Sequence, residues 1–421
     1  MASKNKLIAH LRTPLFRNAY YLMASTATFG LGSFAFWAIA ARFYSEEDVG
    51  LASAAISAIS LIAVISGLGL GFGLIRFLPN AGEKSTQMIN ACLTIGGSTS
   101  IVVGTIFLAG LGFWSPALTF IRERPIYIAC FLVVAAGWTL FSLTEQVFVA
   151  KRNAKFTFTQ NIAAATVKVL LLILFASFFG AFGIFSSAGL GMTAGLGVAL
   201  FCLVPRVQRG YLPFPSLQRG VVNAMMHYSL GNYFAGLLWL LPGLLFPLMV
   251  VNILGAELNA YFYIAWAIAG MILMVPAALS SSLFAEGSYE EGRLLIDTKR
   301  SLKMNLIILV LMIVLVFAFG SRLLLLFGEA YSENATRLLW VLAISAIPMS
   351  VNNLYLTVMR VRKNIPRLIV VSAATTCLTL GLSYPLMLKF GILGVGMGWI
   401  AGQSIVAATI ILPLLSRRLR A

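Results

Sequence analysis

Charge is scarce in this sequence, and negative charge is the scarcest. Only 10% of the 421 residues are charged, and 13 acidic residues stand against 30 basic ones. There are two histidines, and the four cysteines show no CxxC spacing. Paired carboxylates, metal-ligand clusters and a disulfide framework are therefore not indicated. The sequence predicts no catalytic residues, no metal and no cofactor, so an enzyme is disfavoured.

Long hydrophobic runs take the place of the missing charge. Hydrophobic residues make up 60% of the chain, and the mean hydropathy is +0.94. This composition leaves too little polar surface for a soluble globular protein. Apolar runs of spanning length cover residues 19–41, 49–75, 88–113, 126–150, 157–180, 183–204, 225–254, 258–285, 304–327, 333–359, 368–388 and 391–415. The sequence therefore predicts an all-α polytopic membrane protein with twelve transmembrane helices.

The basic residues lie mainly in the short loops between these runs. A net charge of +17 in a soluble protein would suggest a nucleic-acid partner, but loop cations in a membrane protein set its orientation instead. Of the lysines and arginines, 23 fall in loops on one side and 6 in loops on the other, while Lys168 lies within a span. The sequence thus predicts a multi-pass protein of the cell (inner or plasma) membrane with both termini in the cytoplasm, and no nucleic-acid partner.

The two halves of the chain repeat each other. The matched segments are 47–55 with 257–265 at an offset of 210, Lys151-Arg152-Asn153 with Arg362-Lys363-Asn364 at 211, and Phe182-Gly183-Ile184 with Phe390-Gly391-Ile392 and Pro205 with Pro413 at 208. Nearly constant offsets indicate a duplicated six-helix unit. Because six is even, both copies enter the membrane from the same side. We predict two six-helix bundles, residues 1–210 and 211–421, related by a parallel internal repeat.

Two ionisable residues within spans are functional candidates, because charge in a membrane is costly unless it is paired or hydrated. Lys168 lies about 20 Å into the fifth predicted helix. Thr157, Asn161 and Ala164 share its helix face and form a polar stripe that leads to it. Glu145, in the fourth helix, leans toward Lys168, and we predict that the two meet. The pair either binds substrate along its path or is a buried structural pair with no such role.

Four further residues are candidates for substrate binding. Arg42 and Arg76 end helices, where a cation complements the helix dipole and reaches the headgroups, or else offers a bidentate donor to a pyrophosphate. Asn232 and Trp239 share a face of the seventh helix, near Pro242 and Pro247, which are expected to kink it. These two side chains either contact sugar or serve helix packing.

Three stretches of this sequence resemble the multidrug/oligosaccharide-lipid/polysaccharide exporter superfamily, and within it the O-antigen type lipid-linked oligosaccharide flippases. They are ARFYSEEDVGLASAA with the following glycine ladder and Arg76, LLLLFGEAYSENATRLLWVLAIS, and FGILGVGMG. The resemblance implies two six-helix bundles that open alternately to either side of the membrane. It implies a flippase that moves a polyprenyl-pyrophosphate-linked oligosaccharide outward for cell-surface polysaccharide biosynthesis.

The resemblance also implies binding partners, and two alternative functions stay open. The expected partners are the polyprenyl-linked glycan, membrane lipids and glycan polymerase or ligase machinery. A cation-coupled drug or metabolite antiporter of the same superfamily is the alternative, although the first and seventh spans contain no Asp or Glu. A multi-span polymerase, ligase or glycosyltransferase is the rival enzyme, although no large outer loop is found.

Overall fold

The computed structural model describes residues 14–176, 179–216, 219–289, 292 and 294–418, without the side chains of 14–27, 219–232 and some others. Fifteen α-helices and no strand are found in these ranges. The helices are α1 (Pro14–Phe43), α2 (Glu46–Ser66), α3 (Leu70–Phe77), α4 (Ser85–Ala109), α5 (Leu111–Trp114), α6 (Pro125–Ala150), α7 (Ala154–Phe175), α8 (Gly180–Val198), α9 (Val204–Val207), α10 (Arg219–Ile253), α11 (Ala256–Tyr289), α12 (Leu294–Leu325), α13 (Glu329–Val361), α14 (Ile365–Phe390) and α15 (Ile392–Arg418). The predicted all-α fold is confirmed.

Eleven helical segments are long and apolar enough to cross a membrane, judged on the residues with described side chains. They correspond one by one to the second through twelfth predicted spans. The first predicted span, 19–41, falls within α1, a helix of 30 residues. At 1.5 Å per residue α1 is about 45 Å long, which exceeds the thickness of the hydrocarbon core. The chain is a multi-pass membrane protein.

The second predicted span, 49–75, is not one continuous helix. α2 ends at Ser66 and α3 begins at Leu70, and between them Leu68 and Gly69 adopt left-handed backbone conformations with φ of 46° and 72°. The glycine ladder interrupts the span because glycine takes up positive φ without a steric penalty. The continuous apolar run therefore predicted the extent of this span correctly. It did not predict that the span is divided into two helices.

The described residues form two compact units. Unit 1 holds the residues up to Tyr44 and Ala58–Tyr233, and unit 2 holds Ser45–Ser57 and the residues from Phe234 onward. Within unit 2, the start of α2 packs closely on α11, where Asn259 donates hydrogen bonds to the carbonyl of Gly50 at 2.8 Å and to Ser53 Oγ at 3.1 Å. A side chain at Gly50 would collide with the Ala256 backbone. The predicted division of the chain at residue 210 stays a prediction.

Each unit has its own apolar core. In unit 1, residues of α3, α4, α6 and the stretch after α8 form a buried cluster that includes Leu74, Cys92, Phe148, Leu203 and Tyr211. In unit 2, residues of α10 to α14 form a cluster that includes Ala235, Leu283, Leu294, Leu354 and Leu368. Buried Cys92 is a packing residue here, as its apolar surroundings require.

Two helix ends, one in each unit, have the same backbone geometry. Arg152 and Lys363 have φ of 55° and 54°. Around them, Asn153 N bonds Phe148 O and Asn364 N bonds Met359 O, both at 2.9 Å. A residue with positive φ is a common helix end when the N–H of the next residue bonds the carbonyl five positions before it. The two helix ends match at an offset of 211, as the sequence predicted.

The predicted match of Gly183 with Gly391 at an offset of 208 is wrong, and the match of Pro205 with Pro413 stays a prediction. Gly183 packs on Phe175 in unit 1, and its structural counterpart in unit 2 is Gly394, which packs on Leu386. Both the glycine and its partner are displaced by 211 residues, so Gly391 is not equivalent to Gly183. The two Phe-Gly-Ile segments have the same sequence, but they do not occupy equivalent positions in their units.

Candidate functional site

The predicted polar stripe of α7 is buried inside unit 1. Thr157, Asn161, Ala164 and Lys168 are between 2% and 8% exposed. Gln160 is fully buried on the same side and donates to Thr144 Oγ1 of α6 at 2.9 Å. The helical spacing therefore identified the inward face of α7 correctly. A lysine that is 8% exposed in the middle of a span needs local groups that offset its desolvation.

Lys168 obtains these groups from α1. Its Nζ donates to Ser33 Oγ at 3.4 Å and lies 5.5 Å and 5.2 Å from the ring centroids of Phe29 and Phe36. Aromatic faces attract cations, and the effect strengthens when water is excluded. We call these three residues of α1 the Lys168 cage. The cage supplies cation–π contacts and one hydroxyl, and it leaves the positive charge of Lys168 without a neutralising anion.

Gly191 of α8 packs against the Cα and Cβ atoms of Lys168. A Cβ at Gly191 would lie 2.5 Å from Lys168 Cβ and 2.9 Å from Lys168 Cα. The absence of a side chain thus lets α8 approach α7 at the level of Lys168. One turn further, Gly195 faces Ala164 and Phe141 in the same way. The lysine is held between two helices that leave it little freedom at its stem.

The predicted contact between Glu145 and Lys168 is wrong. Asn161 Nδ2 donates to Glu145 Oε1 at 2.9 Å, and Lys168 turns to Ser33. No carboxylate of the described residues lies within ion-pair distance of Lys168. Asn161 lies two helical turns before Lys168, and it binds the carboxyl group of Glu145 in place of the lysine. Glu145 and Lys168 occupy successive positions along one polar stripe.

The remaining candidates lie at helix ends, in unit 2 or outside the described side chains. Arg42 ends α1 and Arg76 ends α3, both side chains are exposed, and Arg76 lies over the Phe77 ring at 5.9 Å. Trp239 belongs to unit 2, where it is half-buried and packs against the apolar core. The side chain of Asn232 lies outside the described residues. Within unit 1, Glu145, Asn161 and Lys168 lie along the polar stripe without a contact between the two charged groups.

Sequence reasoning missed the cage. Phe29, Ser33 and Phe36 follow the i, i+4, i+7 spacing that places residues on one helix face, which is the same signal that revealed the stripe on α7. That signal was present, but nothing in one sequence pairs a face of the first helix with a face of the fifth. Among the described side chains, no group of three or more His, Cys, Asp or Glu could hold a metal ion.

Solved structures of known proteins share this fold. The lipid II flippase MurJ in an inward closed conformation has a TM-score of 0.76 at 10% identity, over 94% of this chain and 87% of that chain. An inward-facing multidrug resistance MATE family transporter of the MOP superfamily has a TM-score of 0.69 at 13% identity, over 95% and 98%. A mutant of the Vibrio cholerae MATE transporter VcmN has a TM-score of 0.66 at 16% identity, over 98% and 98%.

The chain therefore has the fold of a multi-pass membrane transporter. More particularly, it has the fold of the transporter of the MOP superfamily named above. The similar structures named here are transporters and a flippase, and none of them is an enzyme. No protein-family model and no curated protein sequence matches the chain.

Proposed function

We propose that this protein is a flippase that moves a polyprenyl-pyrophosphate-linked oligosaccharide from the cytoplasmic to the outer leaflet by alternating access. The product would serve cell-surface polysaccharide biosynthesis, and glycan polymerase or ligase enzymes would use it. The protein would reside in the inner or plasma membrane with both termini in the cytoplasm. The fold supports transport, and the substrate is inferred from the candidate site.

One observation carries this proposal: Lys168 is buried in the membrane and has no neighbouring carboxylate among the described residues. A cation held in an aromatic cage is desolvated and not neutralised, so it attracts an anion strongly and repels a cation. A pyrophosphate offers such an anion together with several acceptor oxygens for the Lys168 ammonium. Asn161 and Glu145, further along the stripe, supply groups that hydrogen-bond to sugar hydroxyls.

Transport in reconstituted vesicles tests the proposal. A fluorescent polyprenyl-pyrophosphate oligosaccharide placed in one leaflet should reach the other leaflet only when the protein is present, and lipophilic cationic dyes should not cross. The control is the same vesicle with Lys168→Met protein at equal abundance. Dye export driven by a proton gradient, without movement of the glycan lipid, would move the assignment to the drug antiporters.

A cation-coupled antiporter remains the second candidate, because Glu145 offers a specific feature for it. Its half-buried carboxyl accepts one hydrogen bond from Asn161 and has no cation within ion-pair distance among the described residues. Such a carboxyl can bind and release a proton within the membrane. Dye export that is lost in Glu145→Gln and kept in Lys168→Met would favour this reading over the flippase.

A further inference from the structure

The segment after α9 packs against a helix of unit 1. Residues 208–216 have no regular secondary structure and lie along α4, and we call them the strap. Lys151 Nζ links Ser85 Oγ at 3.2 Å to Gln208 Oε1 at 3.1 Å, Asn90 Nδ2 donates to the Leu212 carbonyl at 2.8 Å, and Ser216 N donates to Thr94 Oγ1 at 3.0 Å. The strap therefore follows α4 from its first residue to its tenth.

The strap extends along a candidate membrane span. Thr94 lies nine residues beyond Ser85, which corresponds to about 14 Å along the helix. Both Asn90 and Thr94 belong to this candidate span, Gly82–Ala109. The interaction with α4 also draws Lys151 out of water, and burial lowers the pKa of its ammonium group.

The sequence of the strap leaves few backbone N–H groups unpaired. Unpaired backbone N–H groups are costly in the membrane, and Pro213 and Pro215 have none. Tyr211 N and Phe214 N bond carbonyls within the strap, at 3.1 Å and 3.0 Å. Tyr211 is 3% exposed and anchors the strap in the core of unit 1. Irregular backbone is thereby held against a candidate span.

Two apolar side chains of the strap face outward. Leu212 is 59% exposed and Phe214 is 66% exposed. These two exposed apolar side chains lie close together in sequence, and we call them the apolar rail. The rail is continuous with a basic rim at the same end of unit 1. Its cations are Arg76, Lys84, Lys151, Arg152, Lys155, Arg206 and Arg209, and Glu83 is the acidic residue among the described ones there.

We propose that the strap, with Arg206 and Arg209, is the docking site for the lipid carrier of the substrate in the cytoplasmic leaflet. The arginines bind the diphosphate, and the isoprenoid chain lies along Leu212 and Phe214. A diphosphate carries more negative charge than the single phosphate of an ordinary phospholipid, and it therefore fits a rim with seven cations and one acid better. This inference rests on the proposed function, since it takes the substrate to be lipid-linked.

Photocrosslinking tests the docking site. Phe214 is replaced by p-benzoylphenylalanine in the full chain, and Ile106, which is 55% exposed on α4, receives the same replacement as the control. The probe is a radiolabelled long-chain polyprenyl diphosphate without sugar, in phosphatidylcholine vesicles. We expect strong labelling at position 214, weak labelling at 106, and competition by unlabelled polyprenyl diphosphate but not by phosphatidylglycerol. Equal labelling at both positions, or equal competition by phosphatidylglycerol, would overturn the proposal.

A second set of variants tests the headgroup. Arg206→Gln combined with Arg209→Gln should lower labelling at position 214 about tenfold, because two charge-assisted contacts are lost. Arg122→Gln, which alters an exposed arginine at the opposite end of the spans, should leave labelling unchanged. Unchanged labelling in the double variant, at normal membrane abundance, would refute the role of the arginines.

The outcomes separate docking from transport. Labelling at position 214 should persist in Lys168→Met, since docking precedes passage. If wild-type protein moves the glycan lipid but position 214 is not labelled, the docking site is wrong and the proposed function stands. If position 214 is labelled but wild-type protein moves no glycan lipid, the proposed function is wrong and the docking site stands as a lipid-binding site alone.

Discussion

Asn161 donates a hydrogen bond of 2.9 Å to Glu145, and this contact separates the carboxyl of Glu145 from the ammonium of Lys168. Both charged groups lie on the inward stripe of unit 1, yet each has a neutral partner. Opposite charges left apart inside a membrane are unusual, because pairing would reduce the cost of burying them. Two charges kept apart remain available to a ligand, and the first two predictions test this availability.

Lys168 should be required for its charge. Lys168→Met keeps most of the apolar stem, so the cage stays filled while the cation is lost. We expect flipping to fall at least about tenfold, since a hydrogen bond to a charged group is worth about 1.5–3 kcal/mol. Lys168→Arg should retain substantial activity, because arginine also binds aromatic faces and oxyanions. Transport by equal amounts of inserted protein is the measurement, with Leu170→Met on the exposed side of α7 as the control. Full activity in Lys168→Met would remove this residue from the substrate path.

Glu145 and Lys168 should act independently on stability. In a double-mutant cycle with Glu145→Gln and Lys168→Met, we expect a coupling free energy below about 0.5 kcal/mol, because the two side chains share no contact. The matched cycle with Glu145→Gln and Asn161→Leu should show a larger coupling, since that hydrogen bond is present. Thermal unfolding in detergent gives both values. Recovery of stability and transport in the first double variant would show that the two residues form a structural pair after all.

Gly191 should be intolerant of any side chain. Gly191→Ala places a methyl group against the Lys168 backbone and stem, and forcing an extra methyl group into a packed contact costs about 1–3 kcal/mol. Gly197→Ala, in the same helix but with no atom within 4 Å of its added Cβ, should be neutral or slightly stabilising. The melting temperatures of the two purified variants, measured by thermal unfolding, test this prediction. Equal melting temperatures would mean that α8 moves away from α7 without cost.

The two left-handed helix ends should respond alike to glycine. Arg152→Gly should be more stable than Arg152→Ala by about 1 kcal/mol, and Lys363→Gly should exceed Lys363→Ala by a similar amount, because glycine adopts positive φ freely. At Ile162, inside α7, the order should be reversed, since glycine weakens a helix interior by about 1 kcal/mol relative to alanine. Because the glycine and alanine variants at each helix end both lose the charge of the native side chain, their difference in stability reports only the backbone conformation. The same order at all three positions would contradict the backbone assignment.

Topology follows from the distribution of basic residues. Reporter domains fused after Pro205 and at the C-terminus should both be located in the cytoplasm, because 23 basic residues fall on that side and 6 on the other. Accessibility of each reporter in intact and permeabilised cells is the measurement. If the two reporters were on opposite sides of the membrane, the second half would have an odd number of spans. The predicted parallel repeat would then be wrong.

The sequence predicted best what depends on composition over long windows. The spans were located because a run of about 20 apolar residues is a strong signal, and the inward face of α7 was located because Thr157, Asn161 and Lys168 follow the helical period. Both signals are local. The partners of Lys168 were not predicted, because the register between α1 and α7 depends on the packing of separate helices.

The wrong and missing predictions have physical causes as well. Hydropathy does not register backbone conformation, so the break at Leu68 and Gly69 was read as a continuous span. The contact of the strap with α4 was not predicted, because it depends on residues that are distant in sequence. Asn90 and Thr94 of α4 hydrogen-bond to the backbone of the strap.

Gly191 and Gly402, which are separated by the predicted repeat spacing of 211 residues, make the same kind of helix contact. Gly191 packs on Lys168 in unit 1, and Gly402 packs on Thr379 in unit 2. Lys168 and Thr379 are both buried. The position that holds a buried cation in unit 1 therefore holds a neutral hydroxyl in unit 2, so a charged site of this kind is present in one unit and not in its predicted copy.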